Sequence, residues 1–218
     1  MNNYFNNKEK NTYQEIYISV DIESTGPIPG EYSMSSVGSF VAGAKTDTGF
    51  VHFDNIPENV FYKELQPISD KFEPEAIKVG LLDGFDKVDE DTTGVLRHQW
   101  MKDHGTDPET AMKEFADFVN NASKKYNAKP VFMAYPASFD WMFVYWYFRK
   151  FNVESPFGFS NVLDLKTVFS VKSDKPMRKS TKRYMPKSLF SDLPHTHRAD
   201  DDAVEQGIMG INILNYLR

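Results

Sequence analysis

The chain has 218 residues, 40% of them hydrophobic and 26% charged, with no cysteine and a net charge of −6. That length can bury a sizeable core as one domain, and the lack of cysteine excludes disulfides, thiol nucleophiles and thiolate metal sites, so a bound metal must be held by oxygen or imidazole. No apolar run approaches the roughly 20 residues of a membrane span; with no cysteine to oxidise, the composition fits a cytoplasmic protein that does not use a membrane.

Residues 1–14 are polar and rich in asparagine, and read as a loosely ordered leader without the apolar core of a signal peptide. The remainder, 15–218, reads as one domain. From Ile16 the sequence alternates: Ile16, Ile18, Val20 and Ile22 fall on one face, and Tyr17, Ser19, Asp21 and Glu23 on the other. Period two is a strand with one apolar face. After the turn Gly26–Gly30, a second strand is expected over Ser35–Ala44, a third in GFVHFDN and a fourth, or an extension of the third, in FYKELQPI, giving three or four strands in hairpin order. The charged middle, Ser69 to Gly105, is expected to hold a helix and loops.

The next helix is clearer. Asp107 can cap it, Pro108 suits its first turn, and Ala111, Phe115, Phe118, Val119 and Ala122 form an apolar stripe. KPVFMAYP is a short buried strand. FDWMFVYWYFRKF is a helix apolar nearly all round, which points to burial. Its Trp141, Tyr145, Trp146, Tyr147 and Phe148 are dense enough for core packing or a homodimer contact, rather than a platform for bases. NVLDLKTVF is ambiguous. A last helix begins near Arg198, with Ala203, Gly207, Ile211 and Leu214 on one face. Strands first, then alternating helices and strands, predict an α/β protein with a mixed sheet, antiparallel in its first strands and flanked by helices.

Asp21 and Glu23, two apart on a strand, project from one face about 7 Å apart along the backbone. Carboxylates so placed repel unless a cation lies between them, and divalent cations bridged by carboxylates suit phosphodiester hydrolysis. A solvated strand face is the plainer explanation, and a second D-x-E at Asp107–Glu109 shows how readily the string arises. Asp140 strengthens the metal reading. It is the one charge between Lys129 and Arg149, in the first turn of an apolar helix with Ser138 as candidate cap; there the helix dipole favours its ionised form. The third cluster is His197-Arg198-Ala199-Asp200-Asp201-Asp202-Ala203, a histidine ahead of a helix whose first turn is acidic.

VDIE, FDWMF and HRADDDA, in this order, resemble the three motifs of the DEDDh exonucleases, which include proofreading subunits, oligoribonuclease and RNase T. The third is the most specific: His197, Ala199, Asp202 and Ala203 satisfy every fixed position of H-x-A-x-x-D-A. DLKT (Asp164–Thr167) also resembles the stretch between the family's second and third motifs. Where many members carry an asparagine ahead of the second aspartate, this chain reads Tyr135-Pro136-Ala137-Ser138, a departure that bears on substrate contacts. The resemblance implies an RNase H-like fold, a single exonuclease domain over 15–218, and 3′–5′ hydrolysis of single-stranded nucleic acid. It also implies two Mg²⁺ or Mn²⁺ ions held by Asp21, Glu23, Asp140 and Asp202, with His197 as general base. His197 is preferred to His195 because it alone has the family spacing to Asp202.

The acidic net charge has a local exception. From Lys172 to Lys187 the chain carries seven bases against Asp174 alone, a run able to hold phosphates. Lys179, Lys182 and Arg183 are its candidate contacts; Tyr32, Met34, Tyr184 and Met185 are candidates for stacking on terminal bases. A compact chain with no appended polymerase or helicase leans toward RNA. A DNA exonuclease of the same family, a non-catalytic nucleic-acid-binding module and a small-nucleotide phosphatase are the alternatives.

Overall fold

The structure, a computed structural model, describes residues 13–87 and 89–216. Six strands form one sheet. β1 (Glu15–Ser24) lies between β2 (Met34–Thr46), antiparallel, and β5 (Lys129–Ala134), parallel; β6 (Val162–Asp164) continues in parallel beyond β5. The far edge of β2 is shared by β3 (Gly49–His52) and β4 (Val60–Glu64), both antiparallel to it. The expected hairpin order holds for β1, β2 and β3, whereas FYKELQPI forms a separate strand that returns to pair with β2.

The alternation in β1 divides the interior into two cores. Ile16, Ile18, Val20 and Ile22 enter one of them, with the apolar stripe of α3 (Pro108–Tyr126) and with Phe143, Val144, Tyr147 and Phe148 of α4 (Ala137–Lys150). Asp107 caps α3 by accepting from the Thr110 amide at 3.0 Å. The opposite face of β1 is covered along its first half. Tyr17 packs with Phe40, Met133 and residues of α5 (Leu165–Ser173) and α6 (Ala199–Asn215), and Ser19 is fully buried. Period two reports which residues share a face; it does not report what covers that face.

Three other expectations change. The middle region yields a short turn of helix, α1 (Pro74–Ile77), and α2 (Val95–His104), with irregular chain between them. NVLDLKTVF divides into β6 followed directly by α5. α4 is buried along one side only: Phe139 and Met142 are more than a third exposed, while Trp141 packs on Phe132 and Phe157. Most of the expected leader lies outside the described residues. Within it, Tyr13 packs on Phe53 and Tyr126, and the Gln14 amide donates to the Lys45 carbonyl at 3.0 Å.

Glycine sets how closely α6 approaches the sheet. Gly38 stands opposite Asp21 in the β1–β2 register, and a Cβ there would lie 2.1 Å from the Ala199 carbonyl carbon. Gly207 likewise sits where a Cβ would meet Phe40, Ala42 and Ser19. The start of α6 is thus held against β2, next to the strand that carries Asp21.

Candidate active site

The three acidic motifs converge from β1, α4 and α6 on one cleft of about 350 Å³. It is lined by Asp21, Ile22, Glu23, Tyr135, Pro136, Phe139, Asp140, His195, His197 and Asp202. Asp21, Glu23 and Asp202 bring carboxylate oxygens within 4.8 Å of one another. Asp140 joins them through the Ile22 amide, which donates to its Oδ1 at 3.2 Å from between the two acids of β1.

Each acid has a local reason for its place. Asp21 and Glu23 follow from strand periodicity. Asp140 stands in the first turn of α4, but Ser138 does not cap that helix. Asp164, at the end of β6, accepts from the Ala137 amide at 3.1 Å and also caps α5 through the Thr167 amide at 3.2 Å. DLKT therefore holds α4 as well as starting α5. Asp202 is gripped by the loop before α6: its carboxylate accepts from the amides of Thr196 (2.9 Å) and His197 (3.1 Å). His197 takes a left-handed backbone conformation, φ 60°, to turn this loop back on the helix.

Burial raises the proton affinity of three of these carboxylates, and for Asp21 and Glu23 the neighbouring acids add to it. Asp21 is pushed well above the usual carboxylate range by burial and then by Asp140, Glu23 and Asp202. Glu23 is pushed up to about 8, again by burial first and then by Asp202 and Asp140. Burial carries Asp140 up to about 7, opposed by backbone amides that donate to it. Lys182 beside Asp21 and Arg97 beside Glu23 offset part of this charge. An all-oxygen site with excess negative charge fits hard divalent cations.

The remaining candidates separate. Met34 is fully buried in the core, its amide donating to the Tyr147 hydroxyl at 2.7 Å, and it cannot stack on a base. Met185 is likewise buried, packed with α6. Lys182 pairs with the buried Glu205 at 2.6 Å, so it is a fixed charge at the edge of the cleft. Lys179, Arg183 and Tyr184 are exposed, with the Arg183 guanidinium over the Tyr184 ring. The basic run is therefore not a loose loop: it folds into three single 3-10 turns, and Tyr135 pins it through a hydrogen bond to the Ser180 carbonyl.

Two residues are absent from the sequence reading. Phe139 lines the cleft beside Asp140 and is 36% exposed; its place directly before the candidate aspartate was the signal in the sequence. Arg97 is 2% exposed, and its Nη1 donates to the carbonyls of Ile77, Lys78 and Gly80 behind Glu23. Nothing in the linear pattern marks it.

The chain that carries this cleft is similar to known nucleases. Residues 92–212 match the family described as the 3′-5′ exoribonuclease Rv2179c-like domain. The chain is 33% identical over 192 residues to the Escherichia coli 3′-5′ DNA exonuclease Cap18, covering 88% of each. Among solved structures it resembles a 3′-exonuclease that recognises the histone mRNA stem-loop (TM-score 0.64, 14% identity, 94% of this chain and 64% of that one). It also resembles the nuclease domain of 3′hExo, a DEDDh family member bound to rAMP (0.62, 13%, 93% and 92%). E. coli Exonuclease I bound to a dT13 oligonucleotide is a third (0.58, 12%), with this chain spanning 40% of its length. At these identities the solved structures speak for the RNase H-like fold, and the closer sequence matches speak for descent. The chain belongs to the Rv2179c-like family of 3′–5′ exonucleases, and its fold is that of a DEDDh family member.

Proposed function

We propose that this exonuclease is divalent-metal-dependent, that Asp21, Glu23, Asp140 and Asp202 hold two Mg²⁺ or Mn²⁺ ions, and that His197 is the general base. The observation that carries this reading is the convergence of four carboxylates from three separate elements in one cleft, with His197 at its rim. Bound there, the ions would supply Lewis-acid stabilisation of the attacking and leaving oxygens of a phosphodiester. The chain's own part is positional. The Ile22 amide orients Asp140, and the amides of Thr196 and His197 orient Asp202. His197, exposed on the same loop, takes the proton from the attacking water; imidazole is the side chain suited to exchanging a proton near neutral pH. Phe139 offers a face for the terminal base, and Lys179 and Arg183 offer charge to the phosphates behind it.

Single-stranded DNA is put first as substrate, because the relative whose match spans 88% of both chains acts on DNA. RNA is the second reading, favoured by the exoribonuclease description of the family matched over 92–212. Incubating 5′-labelled DNA and RNA with the protein in Mg²⁺, Mn²⁺ or EDTA tests all of this. A ladder shortening from the 3′ end with metal and absent with EDTA is expected, faster on DNA, and lost in Asp21→Asn and Asp202→Asn. A ladder that persists in EDTA would overturn the metal-dependent reading. If His195→Ala abolished turnover while His197→Ala left it intact, the assignment of the base would be wrong.

A further inference from the structure

The loop Leu193–Arg198 presents two imidazoles to the helix-start carboxylate, and together they form a ligand set different in kind from the four carboxylates. His195 Nδ1 lies 3.0 Å from Asp202 Oδ1, and the His195 and His197 rings stand 4.6 Å apart, inclined by 70°. One ligand atom from each of His195, His197 and Asp202 falls within 4.8 Å of the other two. The backbone is already set. Asp202 is fixed by the Thr196 and His197 amides, Thr196 Oγ1 donates to Asp201 and accepts from the Arg198 amide, and the His197 carbonyl accepts from the Leu81 amide. Both histidine side chains are exposed, so they can adjust without disturbing the core.

We propose that His195, His197 and Asp202 form a second, inhibitory site for an imidazole-preferring transition-metal cation, with Zn²⁺ as its representative. Metal–nitrogen and metal–oxygen bonds of about 2.0–2.2 Å in a tetrahedron put the ligand atoms about 3.3 Å apart. The 3.0 Å contact between His195 Nδ1 and Asp202 Oδ1 is already close to that separation. Placing a cation between them therefore needs only a few tenths of an ångström of movement there, and a rotation of the His197 ring completes a three-ligand site with one open position. Two imidazoles and one carboxylate favour zinc over magnesium, which prefers an all-oxygen shell. The carboxylate centre favours the reverse. Asp202 belongs to both, so the sites adjoin without sharing their other ligands. Occupancy of the histidine site takes the His197 imidazole away from the attacking water, and so stops Mg²⁺-supported cleavage. That consequence rests on the role given to His197 above; the binding itself does not.

The test is titration of the full-length protein with Zn²⁺ in excess Mg²⁺, together with Co²⁺ as a spectroscopic substitute, in wild type, His195→Ala and the double variant Asp21→Asn/Glu23→Gln. Wild type and the double variant are expected to bind one Zn²⁺ and to develop the visible absorption of a low-coordinate Co²⁺ site. His195→Ala, which changes an exposed loop residue, is expected to lose the absorption. Its Zn²⁺ affinity should fall by at least the roughly 10–100-fold that loss of even an outer partner costs a metal site. Its cleavage, measured against its own rate in Mg²⁺ alone, should resist Zn²⁺ where wild type is inhibited. Equal Zn²⁺ affinity in His195→Ala, or loss of the site in the double variant, would overturn the proposal. A Co²⁺ signal that depends on His195 in a protein that cleaves neither polymer would keep the metal site and reject the nuclease mechanism instead.

Discussion

The Leu81 amide donates to the His197 carbonyl at 2.8 Å, tying the segment behind Glu23 to the loop that carries the histidine. Gly80, one residue earlier, lies against Glu23 so closely that a Cβ would stand 2.8 Å from the Glu23 Cβ. The guanidinium of Arg97, on α2, gathers the carbonyls of Ile77, Lys78 and Gly80 and so holds this segment in place.

Arg97→Met removes the donor to three carbonyls and leaves them buried, a loss of about 2–4 kcal/mol. Urea denaturation should show the lowered midpoint. Turnover should fall with it, because Glu23 and His197 both lose their backing, while Arg97→Lys recovers part of each. Unchanged turnover in a destabilised Arg97→Met would show that the segment supports the fold and not the site.

The pH dependence of stability follows from the clustered acids. Glu23, raised to about 8, and Asp140, raised to about 7, bind their protons more tightly folded than unfolded. Their contribution is complete below the ordinary carboxylate range near 4 and is lost as pH rises through about 7 to 8. In EDTA, wild type should lose more Tm between about pH 6 and pH 8 than Glu23→Gln/Asp140→Asn does. Mg²⁺ should restore more at about pH 8, where the carboxylates it binds are ionised. Parallel Tm curves for the two proteins would contradict this account.

Asp164 caps two helices at once, so Asp164→Ala should cost about 2 kcal/mol, twice an ordinary cap. Since Asp140 stands in the first turn of α4, activity should fall as well, and Asp164→Asn should be milder in both respects. Thermal melts and single-turnover rates measure the pair.

Phe139→Ala should raise KM for a single-stranded oligonucleotide about tenfold and change kcat by less than about threefold, as expected for a stacking face. A fall in kcat at unchanged KM would instead give Phe139 a part in placing Asp140.

Gly38→Ala places a methyl group into the backbone of Ala199. Overpacking of this kind should cost about 1–3 kcal/mol, and the displaced start of α6 should weaken metal binding through Asp202. Calorimetric titration with Mn²⁺ reads that effect separately from turnover.

By itself the sequence determined β1, α3 and the order of the acidic motifs along the chain. Alternation in β1, the stripe of α3 and the spacing from His197 to Asp202 are local properties, set by the two-residue and 3.6-residue periods of the backbone. What covers the second face of β1, which side chain caps α4, and whether Met34 is exposed were decided by tertiary packing, because each depends on residues distant in the chain. Lys182 shows the difference: in the linear pattern it is one base among seven, and in the fold the buried Glu205 holds it beside Asp21. Arg97 shows it from the other side, since a buried guanidinium is intelligible only once the carbonyls it serves have been brought together.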